Sequence, residues 1–134
     1  KNIMKLTIPF YLHKVGAGFP SPATDYIEDD LDLNTHLISN APATFIIRVQ
    51  GKSMRDVGIY DGDLLIVDKS ISPKSFSTVI ANVSEELVVK TFIKEKEISY
   101  LTSGSKSTID KINLGENQEV IIWGVVTYVI HKLQ

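Results

Sequence analysis

The amino-acid sequence predicts a single, mainly β domain with one short helix and an N-terminal arm. Three observations carry that expectation. Short apolar runs bounded by Gly, Pro, Asp, Asn or Ser recur from residue 44 onward at the spacing of strands and turns. Only one stretch, around Leu33, carries apolar residues at helical spacing. With 134 residues, 43% of them hydrophobic and 22% charged, the chain has apolar material for one core.

Taken in order, residues 1–22 form the first unit. Ile3 to Val15 mixes apolar and basic residues without a sustained period. Val15-Gly-Ala-Gly-Phe19 is small and flexible, and Pro20 and Pro22 forbid a helix and bias their neighbours towards extended backbone. A protease binds such an extended, small-residue segment by strand addition; an ordinary arm or linker has the same composition. Between Asp25 and Ser39 a short helix is expected, with Asp32 as N-cap and Leu33, Leu37 and Ile38 on one face, stopped by Asn40-Ala41-Pro42. The consecutive acids Glu28, Asp29 and Asp30 point in different directions in either a helix or a strand, so they read as a solvated surface and no metal site is expected.

Six strands follow. Thr44 to Gln50 leads into a loop, and Leu64 to Val67 is entered through the Asp61-Gly62 turn. Thr78 to Val83, Leu87 to Lys94, Ile98 to Thr102 and Glu119 to Leu133 complete the set, with Gly104, Ser105, Ser107 and Gly115 marking the long loop before the last. Trp123 is expected to fill core and Gly124 to form a bulge.

Composition excludes several functions. The net charge of -2 and the scattered lysines do not favour nucleic acid. Without cysteine there is no disulfide framework and no thiolate nucleophile, and His13, His36 and His131 show no metal-ligand spacing, so no cofactor is expected. No secretory-type apolar segment opens the chain. The longest apolar run, Val120 to Ile130, falls short of the ~20 residues that span a bilayer. A cytoplasmic protein is therefore the expectation.

Two residues carry chemistry. Ser53, in Gly51-Lys-Ser-Met54, follows the end of the strand Thr44–Gln50 beside a glycine that permits a sharp turn, the placement of a nucleophile. A serine in a turn also serves as an ordinary cap. Lys90 lies in Glu86-Leu-Val-Val-Lys-Thr-Phe-Ile93, where alternation puts it on one face with Val88 and Phe92. Burial disfavours the charged ammonium, so an amine held between apolar neighbours can accept a proton near pH 7, as a Ser-Lys dyad requires. An edge-strand lysine, or one snorkelling to water, would look the same in sequence.

The motifs Gly18-Phe-Pro-Ser-Pro-Ala-Thr-Asp-Tyr26, Gly51-Lys-Ser-Met54, Asp61-Gly-Asp-Leu-Leu-Ile-Val-Asp68, Val89-Lys-Thr91 and Trp123-Gly-Val-Val126 together resemble the UmuD branch of the LexA-type self-cleaving Ser-Lys peptidases. The match runs in order from about Gly16 to the C-terminus, and the Phe-Pro-Ser-Pro segment distinguishes UmuD-type proteins from the repressors. The resemblance implies the β-rich fold of LexA C-terminal domains and, more distantly, signal peptidases. It implies Ser53 as nucleophile, Lys90 as general base and the Ala17-Gly18 bond as the cleavage site, dividing a cleavable arm, 1–17, from a peptidase domain, 18–134. The backbone N–H of Met54 is a candidate oxyanion donor.

The resemblance further implies a homodimer that joins a UmuC-type Y-family polymerase for translesion synthesis in the SOS response, with cutting stimulated by the RecA filament on single-stranded DNA. Two other readings stand beside it. One is the autoprotease half of a LexA- or phage-type repressor, which would need a helix-turn-helix domain; the other is a non-catalytic interaction module. A departure from the family is visible: Phe76-Ser77 stands where relatives commonly carry Gly-Asp before the Val79-Ile-Ala strand, so the loop that positions the strand before Lys90 is expected to be shaped differently.

Overall fold

A computed structural model of the chain describes residues 6–11, 14–18, 28–105, 111–115 and 119–134. The chain falls into two compact units, Lys1–Ser39 and Asn40–Gln134. The expectations for His13, for Phe19-Pro20-Ser21-Pro22 and for Ser107 lie outside the described residues.

In the first unit, β1 (Thr7–Tyr11) pairs antiparallel with β2 (Glu28–Asp32), Thr7 opposite Asp32 and Tyr11 opposite Glu28. Neither strand is expected from the sequence. Pro9 inside β1 and the acids of β2 are residues that strands disfavour, which is why alternation does not reveal them. Helix α1 (Leu33–Leu37) starts at its expected cap: Asp32 Oδ1 accepts from Asn34 N–H at 3.1 Å, and Asp32 Oδ2 from the Thr35 hydroxyl at 2.9 Å.

The second unit opens with a 3-10 turn, Ala41–Ala43, and then builds one antiparallel sheet. Its strands are β3 (Thr44–Arg48), β4 (Leu64–Asp68), β5 (Thr78–Val83), β6 (Glu86–Glu95), β7 (Ile98–Thr102), β8 (Ile112–Asn113) and β9 (Val120–Ile130). Their order across the sheet is β3-β4-β9-β5-β6-β7-β8. Strand β8, Ile112–Asn113, is too short a run for a sequence pattern to reveal.

Both faces of the sheet centre are buried. In β5, Ile80 enters one cluster with Val49, Met54, Ile59, Leu65 and Val67, while Val79 and Ala81 enter another with Phe92, Leu101 and Val125. Alternation along a strand sends neighbours to opposite faces, so a run that is apolar at every position reads as a central strand.

Strand β9 carries two register shifts, one against β5 between Ile80 and Ala81 and one against β4 between Ile66 and Val67. The first shift leaves Trp123 as the extra residue between Ile122 and Gly124. Trp123 is not core filling, as its sequence suggests. It is 38% exposed, edge-on to Phe45 with ring centroids 6.2 Å apart, and Lys69 Nζ lies 5.3 Å from its ring centre. Gly124 is needed beside it, because a Cβ there would stand 2.8 Å from Val67 Cγ1 and 3.0 Å from the Asp68 carbonyl oxygen.

Candidate active site

The chain leaves β3 at Arg48 and re-enters the sheet at Leu64, and the intervening loop is fixed at its base. Val49 N–H donates to the Asp63 carbonyl and Gly62 N–H to the Val49 carbonyl, each at 2.8 Å. Gly51 sits at φ +111°, where an L side chain is strained, and its N–H donates to Asp61 Oδ1 at 2.8 Å. After the turn at Ser53, the Met54 side chain enters the first core cluster and is 3% exposed. A 3-10 turn, Arg55–Val57, ends at Gly58 in the left-handed region. Ser53 is thus exposed on a turn whose next residue is anchored in the core.

The far end of this loop has its own clasp. Asp63 Oδ1 pairs with His131 Nδ1, and Asp63 Oδ2 accepts from Tyr60 N–H at 2.8 Å. The bond from His131, and then that from Tyr60 N–H, hold the Asp63 carboxyl below the usual carboxylate range against the opposing effect of its burial. His131 also packs on Tyr60, with ring centroids 5.3 Å apart. His36 lies in the last turn of α1.

Lys90 lies in β6 between Val88 and Phe92, both packed in the second core cluster. Its side chain is half-buried, and Nζ donates to Ser103 Oγ at 2.8 Å. Ser103, one residue past β7, is only 7% exposed. The amine therefore ends on a buried hydroxyl, which distinguishes it from a lysine that merely snorkels to water.

Ser53 and Lys90 line one cavity of about 350 Å³, together with Ile47, Val49, Leu87 and Val89. Strand β7 pairs only with Thr91–Glu95 of β6, so among the described residues no strand covers the Glu86–Val89 edge on that side. A sheet edge beside a cavity that displays a serine hydroxyl is what an extended peptide needs in order to add as a strand next to it.

A second constellation, which the sequence does not signal, sits beside Ser53 and Lys90. Asp56 Oδ2 accepts from both the backbone N–H and the hydroxyl of Ser105, each at 2.8 Å. Those two bonds, the backbone one first, hold the Asp56 carboxyl below the usual carboxylate range. Gly104 N–H donates to Met54 Sδ at 3.1 Å. In the sequence Gly104 and Ser105 are no more than loop markers, and Ser103 carries no signal at all.

The structure thus brings Ser53, Met54 and Lys90 to one place in the second unit. Ala17 and Gly18 belong to the first unit, where both are exposed and Gly18 has φ +109°. The Phe76-Ser77 loop is pinned to β6 by Phe76 N–H to the Phe92 carbonyl at 2.7 Å and by Phe92 N–H to the Ser77 carbonyl at 2.8 Å. Phe76 itself stands at φ +73°, the backbone region a glycine adopts freely.

No helix among the described residues is long and apolar enough to cross a membrane. Comparison with known proteins supplies the family. Residues 9–127 match the Peptidase S24-like family. The chain is 42% identical over 124 residues to the protein ImpA of Salmonella typhimurium, covering 92% of this chain and 83% of ImpA. It is 38% identical over 122 residues to the protein MucA of Escherichia coli, covering 91% and 83% of the two chains. A LexA repressor from Colwellia psychrerythraea is 35% identical over 120 residues, which span 89% of this chain and 56% of the repressor.

Proposed function

The chain belongs to the Peptidase S24-like family, in its UmuD-like branch, and from that premise we propose a self-processing serine peptidase that uses Ser53 as nucleophile and Lys90 as general base to cut the Ala17-Gly18 bond. The observation that carries this reading is the shared cavity: the two residues that the chemistry requires line one space beside an open strand edge.

In the proposed reaction, the segment around Ala17-Gly18 adds to the Glu86–Val89 edge of β6, and small side chains there let its backbone approach Ser53. The Lys90 amine, in its deprotonated form, takes the Ser53 hydroxyl proton as Oγ attacks the Ala17 carbonyl carbon. The resulting oxyanion is met by backbone donors of the Ser53 turn, with Met54 N–H as the first candidate. Lys90 returns the proton to the Gly18 nitrogen as the C–N bond breaks, leaving an ester between Ser53 and Ala17. A water molecule, giving its proton to Lys90, then hydrolyses that ester, and the proton passes back to the Ser53 oxygen as it leaves.

The product beginning at Gly18 is proposed to act in the cytoplasm as a homodimer that joins a UmuC-type Y-family polymerase, with a RecA filament on single-stranded DNA stimulating the cut. The test is intact mass against time at about pH 10, near the ordinary lysine value, for wild type and Ser53→Ala. Release of a fragment ending at Ala17 from wild type alone is expected. Cutting at another bond, or in the Ser53→Ala chain, would overturn the assignment.

A further inference from the structure

A Ser-Lys dyad works only if two side chains from distant parts of the chain are held in register. Ser53 rides on the loop between β3 and β4, and Lys90 on β6. Three consecutive residues after β7 touch both sides. Ser103 Oγ accepts from Lys90 Nζ at 2.8 Å, Gly104 N–H donates to Met54 Sδ at 3.1 Å, and Ser105 donates twice to Asp56 Oδ2 at 2.8 Å.

We propose that Ser103-Gly104-Ser105 is a bridge that sets the position of Lys90 relative to Ser53, with Asp56 as the positioning residue that locks the bridge to the nucleophile's turn. The proposal rests on the dyad reading and deepens it.

The grip is close on each side. Met54 and Asp56 both lie within a turn's length of Ser53, so a bridge attached to both restrains the segment that displays the hydroxyl. Gly104, at φ +67°, leaves no room for a side chain: a Cβ there would collide with Asp56 Oδ1 and stand 2.9 Å from Asp56 Cγ. The carboxylate cannot swing aside without giving up its bonds to Ser105. One added methyl group would therefore break the bridge or force the two loops apart. On the other side, Ser103 is 7% exposed, so this partner of the lysine is a fixed group in the protein and not an exchangeable water. The β6–β7 pairing, which runs up to Thr91 opposite Thr102, places this serine beside Lys90.

Asp56 and the bridge do not touch the scissile bond in this account; they act through Ser53 and Lys90. A displacement of about 1 Å at such a site reduces rate on the order of 100-fold.

The test measures the rate constant of self-cutting by intact mass at about pH 10, the thermal midpoint, and labelling of Ser53 by a fluorophosphonate probe. Asp56→Ala and Gly104→Ala are each expected to slow both cutting and labelling on the order of 10- to 100-fold. Asp56→Asn, which keeps an oxygen able to accept from Ser105 N–H, is expected to recover most of the rate. Ser103→Ala is expected to slow cutting on the same scale, and Ser103→Thr, which restores a hydroxyl, to recover it.

Cutting and labelling at the wild-type rate in folded Asp56→Ala or Gly104→Ala would overturn the bridge while leaving the dyad intact. If either variant fails to fold, the pair Ser103→Ala and Ser103→Thr decides alone: equal rates in both overturn the proposal. A folded wild type that neither cuts nor takes the label at Ser53 overturns the dyad reading, and the bridge with it.

Discussion

Replacing Phe76 with glycine should make the protein more stable. Phe76 stands at φ +73°, and an L residue in the left-handed region costs roughly 1–2 kcal/mol. Its ring is 70% exposed, so little packing is lost with it, and the backbone bond to the Phe92 carbonyl does not depend on the side chain. Against this gain, glycine gives the unfolded chain extra freedom worth about 0.5–1 kcal/mol. The net is a stabilisation of up to about 1.5 kcal/mol, or a few degrees in Tm for a chain of this size.

Urea unfolding in the Ser53→Ala background, which prevents cutting during the measurement, reads this directly. Phe76→Ala serves as the comparison, because it removes the same ring and keeps the strained backbone. Phe76→Gly should exceed Phe76→Ala in unfolding midpoint at the same slope. A glycine variant no more stable than the alanine variant would refute the strain argument. The result bears on function, since the same loop holds β6 at Phe92, on the strand that carries Lys90.

Other outcomes follow from the same packing and charges. Leu65→Ala, at a wholly buried position in the first cluster, should cost about 2–5 kcal/mol in urea unfolding. Gly124→Ala should cost about 1–3 kcal/mol by pushing β9 off Val67 and the Asp68 carbonyl. Asp56 and Asp63 both sit below their ordinary value of 3.8 in the folded chain, so the stability they contribute is present above about pH 4 and is lost as pH falls through their lowered values. Urea midpoints measured from pH 7 to pH 2 should therefore fall on the acid side, and less so in Asp63→Asn; an unchanged acid slope in that variant would contradict the assignment.

The central strands are legible in the sequence because they are apolar at nearly every position, and β5 sends consecutive residues into two cores. Asp32 announces α1 because a capping carboxylate precedes the apolar positions it serves. The pair β1 and β2 stays hidden because pairing between distant segments, Tyr11 opposite Glu28 and Thr7 opposite Asp32, defines it in place of an apolar pattern. Thr7 to Tyr11 is exposed throughout, so no buried face imposes an alternation.

Ser53 and Lys90 stand out because their neighbours are distinctive: a glycine shortly before the serine, and apolar residues on the same strand face as the lysine. The bridge does not. Ser103 lies 13 residues from Lys90, and Ser105 lies 49 from Asp56. Only the β6–β7 hairpin and the packing of the Met54 turn bring these polar loop residues together, and polar loop residues look alike in sequence until the fold has chosen their partners. Trp123 misleads for a related reason. An aromatic residue in an apolar run reads as core, and the register shift that turns it outward depends on the neighbouring strand.

The central claim is that Lys90 acts as the base for Ser53, and Lys90→Arg tests it most directly. Arginine keeps the positive charge and much of the reach, but cannot give up its proton in a protein. Self-cutting followed by intact mass at about pH 10 should therefore be abolished in Lys90→Arg as fully as in Lys90→Ala, while both variants remain folded. Cutting between Ala17 and Gly18 at close to the wild-type rate in Lys90→Arg would contradict the account.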